Sequence, residues 1–203
     1  MAELSLFYLW RLEEGAQALL AMCREAGIPC EGLEALPEKR QRERAAELLL
    51  LCRAFGRPVE LSHTAQGAPH VDGSDVNISI SHTPRLVVLA CNAHHVIGVD
   101  AEEADRHQVL RVRDKFLNAA EQQFIAPDDL AAHVIAWTAK EAIIKAERNS
   151  ALDWTDGIEL EPFESHDGVV LMRAQCGSNH YRLESRQLEG HRITVALPDE
   201  GES

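Results

Sequence analysis

Two carboxylates in this sequence are spaced so that they could act together on a phosphate group. Asp100 and Glu102 lie two residues apart in the segment G-V-D-A-E. Residues two apart in a strand point to the same side, so both carboxylates would face one side of a sheet. Aligned carboxylates repel each other unless a cation lies between them. Mg2+ suits such a pair, because it prefers oxygen ligands and binds substrate phosphates as well.

A second group of reactive side chains lies in residues 128–149, which the pattern predicts to be one helix. Asp128 or Asp129 is a candidate N-cap after Pro127, and Asn149 is a candidate end. Spacings of three and four residues put an aromatic ring, a carboxylate and two amines on one helix face. The residues of this face are Trp137, Lys140, Glu141, Ile144 and Lys145. Taken alone, the face fits a packed tryptophan beside a solvated Glu–Lys pair equally well.

A third candidate is the basic run P-E-K-R-Q-R-E-R at residues 37–44, at the start of a helix predicted over residues 38–55. It is either a solvated helix face balanced by its glutamates or a binding site for an anion. The chain carries a formal net charge of −13. This charge argues against a general nucleic-acid binder, and anion binding would require such a local basic patch or a metal ion.

The elements that would position these residues alternate in a pattern that occurs twice. A helix and then three strands are predicted in each half of the chain, which favours an α+β fold. Asn118, followed three residues later by Glu121, predicts a capping box at the start of a short helix. We expect two similar α+β halves, residues 1–103 and 104–203, each with a helix packed on a three-stranded antiparallel sheet. The predicted strands are residues 76–81, 86–91 and 96–102 in the first half and 169–175, 180–186 and 191–197 in the second, with further strands at 5–12 and 157–162 and a helix at 13–26.

Cysteine usage and hydropathy bear on the compartment. The five cysteines are widely spaced and form no C-x-x-C pair, which argues against a disulfide framework or a zinc ribbon. No apolar run is long enough to span a bilayer, and the N-terminal residues lack the pattern of a signal peptide. We therefore expect a cytoplasmic protein with no membrane partner.

Taken together, the motifs resemble those of the 4′-phosphopantetheinyl transferases, and of the longer, surfactin-synthetase-activating type in particular. That family carries G-[IV]-D-x-E and W-x-x-K-E-x-x-x-K at about the separation found here. The matching segments are residues 98–102 and residues 137–145, together with the strand N-I-S-I-S-H-T at residues 77–83 and the basic helix start at residues 37–40. The resemblance implies the family's fold, in which the two halves are related by a pseudo-twofold axis, and a monomer.

The resemblance also implies a reaction and its residues. Such enzymes transfer the 4′-phosphopantetheine arm of coenzyme A to a serine of an apo acyl or peptidyl carrier protein and release 3′,5′-ADP. Asp100, Glu102 and Glu141 would bind Mg2+, with Mn2+ as an alternative. Glu141, or a water it holds, would accept the serine proton, and Lys145 would neutralise the pyrophosphate; with Asp100 they form the catalytic set. The implied coenzyme A-binding residues are Lys39, Arg42, Ser81, His82, Asp100, Lys140 and Lys145, with Arg40 or Arg44 as substitutes in the basic helix.

One departure keeps alternatives open. The family commonly has G-K-P ahead of the N-x-S-H strand, whereas this chain has Gly67-Ala68-Pro69 and lacks that cation. A non-catalytic module that binds coenzyme A or a carrier protein, and an Mg2+-dependent enzyme acting on another phosphoanhydride, are the alternative interpretations. Carriers are mostly acidic, so we expect docking through a local apolar or basic patch, near residues 116–124, rather than through overall attraction.

Overall fold

The computed structural model describes residues 6–166 and 168–199, which form two compact units that divide after Ala93. The first unit contains two long helices and five strands. Its elements are β1 (Leu6–Arg11), α1 (Ala16–Glu25), α2 (Glu38–Phe55), β2 (Leu61–His63), β3 (Pro69–Val71), β4 (Asn77–His82) and β5 (Leu86–Asn92). Short 3-10 turns occur at Leu33–Ala35 here and at Arg113–Lys115 in the second unit.

An antiparallel three-stranded sheet with the order β1-β5-β4 forms the centre of the first unit, and β2 and β3 form a separate hairpin. Every residue of β5 is buried, as its unbroken apolar run L-V-V-L-A-C predicts. Helix α2 contacts both β5 and β1, and α1 packs on α2. Helix α2 ends at Gly56, whose φ of 67° suits a residue without a side chain. The predicted bounds of this helix are confirmed.

The second unit places a long helix against a larger sheet. Its elements are β6 (Gly98–Glu103), α3 (Gln108–Arg111), α4 (Glu121–Phe124), α5 (Leu130–Glu147), β7 (Ile158–Leu160), β8 (Val169–Cys176), β9 (Asn179–Leu188) and β10 (His191–Pro198). All neighbours in the sheet order β6-β10-β9-β8-β7 are antiparallel. Helix α5 packs on β6 and β10, and its alanine-rich buried side joins the core of this unit.

The predicted helix at residues 128–149 is confirmed, with small changes at its ends. Asp129 is the N-cap, because one of its side-chain oxygens accepts a hydrogen bond from the Ala132 amide at 2.9 Å. The helix ends at Glu147, and its C-cap, Arg148, adopts the left-handed conformation with a φ of 54°. The predicted capping box is confirmed too: Asn118 and Glu121 each accept the other's backbone N–H at 2.8 Å.

The predicted sheets are antiparallel, as expected for an α+β fold, but their strand composition is wrong in two respects. The strand predicted at residues 96–102 does not continue the first sheet; as β6 it pairs with β10 in the second sheet. The first sheet takes β1 in its place, and the second sheet has five strands rather than three. Strand-strand neighbours that are distant in sequence leave no local signal, so the period-two pattern predicts strands without their partners. The two compact units divide after Ala93, so β6 belongs to the second unit.

The state of the cysteines and the hydropathy of the helices bear on the predicted compartment. The five cysteines are free thiols. In the part of the chain that the structure describes, no helix is both long and apolar enough to cross a membrane. The first position of the strand predicted at 5–12 lies outside the described residues.

Candidate active site

The candidate site of the second unit is built where α5 passes close over β6. Gly98 makes this approach possible, because a Cβ atom there would lie 1.8 Å from the carbonyl oxygen of Ala142. Ala142 directly follows Glu141 in the helix, and Asp100 lies two residues beyond Gly98 in the strand. The G-V-D-A-E segment therefore brings its first carboxylate near the helix because its glycine allows contact between the two backbones.

Asp100, Glu141 and Lys145 form an electrostatically coupled group. The Lys145 ammonium donates to Asp100 Oδ1 at 2.8 Å and to the Val99 carbonyl at 3.0 Å, so the strand fixes its position. Burial raises the pKa of Glu141, and the Asp100 carboxylate raises it further, while the charges of Lys145 and Arg106 lower it. The structure thus brings together the three residues that the sequence predicts to be catalytic.

Glu102 has a different partner from the one predicted. Its carboxylate forms an ion pair with Arg106, and the two side chains are 21% and 29% exposed. The guanidinium carbon of Arg106 also lies 5.0 Å from the ring centroid of Trp137, which is a cation–π contact. Arg106 therefore connects the second carboxylate of β6 to the aromatic residue of the α5 motif.

The predicted metal ligands match Mg2+ in chemistry but not in arrangement. Asp100, Glu102 and Glu141 offer the carboxylate oxygens that Mg2+ prefers, and the repulsion between Asp100 and Glu141 is of the kind that a cation relieves. Among residues 6–166 and 168–199, however, no group of three or more His, Cys, Asp or Glu side chains is arranged to hold a metal ion. Two cationic side chains, Arg106 and Lys145, contact the β6 carboxylates instead. A joint role as metal ligands stays a prediction.

Lys140 has a structural position rather than the predicted contact with a phosphate. Its side chain is fully buried, and its ammonium donates to Glu121 at 2.8 Å and to the carbonyls of Trp154 and Ile158 at 2.7 and 2.9 Å. Burial lowers the pKa of Lys140, and the nearby Glu121 carboxylate opposes this shift. All three N–H donors are engaged, so in this arrangement Lys140 has none to offer to coenzyme A.

In the first unit, two cationic side chains and a histidine ring surround one buried carboxylate. Glu43 is 2% exposed. Arg40 donates to its Oε2 at 2.9 Å, while the Lys39 ammonium and the His82 ring lie 3.7 and 3.8 Å from its Oε1. Lys39 and Arg40 are themselves 72% and 61% exposed. The predicted residues Lys39 and His82 therefore share a basic patch with Arg40, and Glu43 holds this patch together.

Arg42 and Ser81, also predicted to bind coenzyme A, are placed differently from this patch. The Arg42 guanidinium donates to the backbone carbonyls of Glu14, at 2.9 Å, and of Leu12. It thereby ties α2 to the segment that follows β1, which is a structural role. Ser81 is buried in β4, with 7% of its surface exposed, and lies opposite Val88 of β5.

An aromatic cluster forms the base of a cavity beside the second-unit site. Trp137 contacts Phe116 and Trp154 at ring-centroid distances of 5.2 and 4.7 Å. The cavity has a volume of about 300 Å3 and is bordered by Arg106 and Lys115. Trp137 is therefore packed among aromatic rings.

A comparison with protein families finds a match that includes the residues of this site. Residues 96–196 match the model of the 4′-phosphopantetheinyl transferase superfamily. The match covers β6, α5 and almost all of β10, and it lies within the second unit. No curated protein matches the chain.

Three residues of these clusters were not singled out as functional from the sequence. Glu43 lies four residues after Lys39 in one helix, and this spacing is a local signal for their contact. Arg106 follows Glu102 by four residues, but no helix connects them, so their contact depends on the path of the loop after β6. The pair of Glu121 with Lys140 joins residues 19 apart, which no local pattern predicts.

Proposed function

We propose that this protein is a 4′-phosphopantetheinyl transferase, a holo-[acyl-carrier-protein] synthase. It would transfer the 4′-phosphopantetheine arm of coenzyme A to a serine of an apo acyl or peptidyl carrier protein. The observation that carries the proposal is the coupled group of Asp100, Glu141 and Lys145, which lies inside the segment that matches the superfamily. We further propose the surfactin-synthetase-activating subtype, a monomeric state and a cytoplasmic location, which rest on the sequence alone.

The chain's own residues suit the bond changes of this transfer. The serine oxygen attacks the phosphorus that carries the pantetheine arm, and the bond from that phosphorus to the 3′,5′-ADP oxygen breaks. We propose that Glu141 accepts the serine proton; its raised pKa supports this role, because a general base is most effective when its pKa is closer to neutral pH. Lys145, held by the Val99 carbonyl, supplies a fixed positive charge for the leaving pyrophosphate.

We propose that the reaction requires Mg2+, with Mn2+ as a substitute, and that Asp100, Glu102 and Glu141 supply the ligands. When bound there, the ion would offset negative charge on the pyrophosphate and on the transferred group. In the first unit, Lys39, Arg40 and His82 are proposed to contact phosphates of coenzyme A, because they are the exposed or half-exposed hydrogen-bond donors of the basic patch. Lys140 and Arg42 are removed from the proposed ligand set, since their donors bind other parts of the protein.

The direct test incubates the protein with coenzyme A, Mg2+ and a panel of apo acyl and peptidyl carriers, followed by intact mass measurement of each carrier. We expect a mass gain equal to one phosphopantetheine arm. Glu141→Gln should lower the rate by about 10²- to 10⁴-fold, the usual contribution of a general base. Glu164→Gln, the same substitution at an exposed position, is the control and should retain the wild-type rate.

A second candidate function is a non-catalytic module that binds coenzyme A or a carrier protein. Ala68 favours it, because this position lacks the cation common in the family. Calorimetry with coenzyme A separates the two candidates. Binding of coenzyme A without transfer to any carrier of the panel would support the module, and transfer that Glu141→Gln abolishes would exclude it.

A further inference from the structure

The carboxylates proposed to bind Mg2+ are already paired with cations of the chain itself. Arg106 contacts Glu102, and Lys145 contacts Asp100. With Glu141, this group holds three carboxylates and two cations, so it is partly neutralised without any metal ion. A metal that uses all three carboxylates therefore has to compete with side chains for its ligands.

The two cations differ in how firmly the chain holds them. Lys145 lies on α5, and its ammonium also donates to the Val99 carbonyl of β6. Arg106 lies in the loop after β6, and within the described part of the chain its guanidinium has two contacts, the Glu102 carboxylate and the face of Trp137. Partly exposed ion pairs of this kind contribute little net free energy. Arg106 also borders the cavity of about 300 Å3, so its side chain has space into which it can move.

We propose that Arg106 is a built-in competitor of the divalent cation. It forms an ion pair with the Glu102 carboxylate and has to release it before Glu102 can become a ligand. This inference rests on the proposed function, since it concerns the metal site of that reaction. It explains why a sequence with the expected carboxylates has no metal-ready group of three in the described structure.

Metal affinity measured without coenzyme A or a carrier tests the proposal. Mn2+ serves as the probe, because its free ion is quantified directly by electron paramagnetic resonance. Arg106→Gln should bind Mn2+ about two- to fivefold more tightly than the wild type, since it removes the competitor for Glu102. Arg111→Gln is the matched control, because it removes the same charge from an exposed arginine of α3 and should change the affinity less than twofold.

A double variant separates competition from a general charge effect. In a Glu102→Gln background, Arg106→Gln should tighten Mn2+ binding less than it does in the wild type, because the disputed ligand is absent and only the electrostatic interaction of Arg106 with Glu141 is removed. Tryptophan fluorescence gives a second readout: Mg2+ should change the emission of the wild type as the Arg106 cation leaves the Trp137 ring. The change should be absent in Arg106→Gln.

Three results would overturn the inference: equal Mn2+ affinities of Arg106→Gln and Arg111→Gln, weaker binding by Arg106→Gln, or no Mn2+ binding by either the wild type or Arg106→Gln. These outcomes are independent of the transfer assay. A protein that transfers the arm but binds Mn2+ without regard to Arg106 retains the proposed function and loses the inference. If the protein transfers nothing but Arg106→Gln tightens Mn2+ binding, the inference about Arg106 is retained and the proposed transfer function is lost.

Discussion

Lys140 and Glu141 are neighbours in one motif, yet the structure gives them opposite environments. Glu141 faces the β6 carboxylate and the Lys145 charge, while Lys140 is fully buried against Glu121. Successive residues of a helix lie about 100° apart, so adjacent charged residues need not share a function. A buried charge needs a partner, and here Glu121 and two carbonyls supply it.

Lys140→Met should therefore destabilise the protein, because it leaves the Glu121 carboxylate buried without its counter-ion. Loss of one partner of a buried ion pair costs about 3–5 kcal/mol, and the free energy of unfolding in urea measures it. Lys115→Met, the same change at an exposed position, should stay within about 0.5 kcal/mol of the wild type. A stable Lys140→Met protein that fails to bind coenzyme A would instead assign this lysine to the ligand.

The basic helix start allows a similar separation of roles in the first unit. Arg40→Gln should weaken coenzyme A binding about tenfold, the order expected for a lost charge-assisted hydrogen bond, with little change in stability. Arg42→Gln should show the reverse, because its donors hold the carbonyls of Leu12 and Glu14. Calorimetry with coenzyme A and with 3′-dephospho-coenzyme A measures the first effect and tests whether the 3′-phosphate is the group bound. Equal loss of coenzyme A affinity in both variants would contradict the assignment of a binding role to Arg40 and a structural role to Arg42.

At the level of elements, the contact between β6 and α5 depends on a single residue without a side chain. Gly98→Ala should separate the strand from the helix, because the added Cβ would meet the Ala142 carbonyl oxygen at 1.8 Å and the Ala146 nitrogen at 2.9 Å. Backbone atoms cannot rotate away, so we expect a loss of about 1–3 kcal/mol and a lower transfer rate. Gly15→Ser, which adds a side chain in open space at the N-cap of α1, is the control in the same thermal-unfolding and transfer assays. Wild-type stability of Gly98→Ala would contradict this account of the contact.

The start of α5 depends on Asp129, whose carboxylate binds two groups. Besides the Ala132 amide, it accepts a hydrogen bond from the Ser165 hydroxyl at 2.8 Å, which ties the helix start to the segment before β8. Asp129→Ala should cost about 1–2 kcal/mol, as the loss of an N-cap does, while Asp129→Asn keeps a capping oxygen and should cost much less. Chemical denaturation of both variants measures the difference, and equal losses would show that the charge rather than the cap matters.

At the scale of the whole molecule, the net charge of −13 affects encounter with the carrier. If carriers are acidic, long-range repulsion slows association, and salt should relieve it. Raising the ionic strength from 0.01 to 0.15 M shortens the screening length from about 30 to about 8 Å. We expect kcat/KM for the carrier to rise, at saturating coenzyme A and constant Mg2+. A fall would mean that attraction by a local basic patch outweighs the overall repulsion.

Much of the second unit could be predicted from the sequence, because its signals are local. The capping box of Asn118 with Glu121 lies within four residues, and the bounds of α5 follow from Asp129 and the apolar pattern after it. The motifs of residues 98–102 and 137–145 also indicated the superfamily that the comparison finds for residues 96–196. Each of these signals is fixed by residue type at short spacing, which secondary structure and motif matching both use.

The tertiary structure decided which of the motif residues face each other. Because β6 pairs with β10, Asp100 and Glu102 belong to the sheet of the second unit. Their position in this sheet determines which side chains of α5 can contact them. The tertiary structure also separated Lys145, which contacts Asp100, from Lys140, which is buried against Glu121. Such contacts join residues that are 19 to 45 positions apart. Their physical cause is the burial of charge and the pairing of distant strands, and neither is encoded in the spacing of a motif.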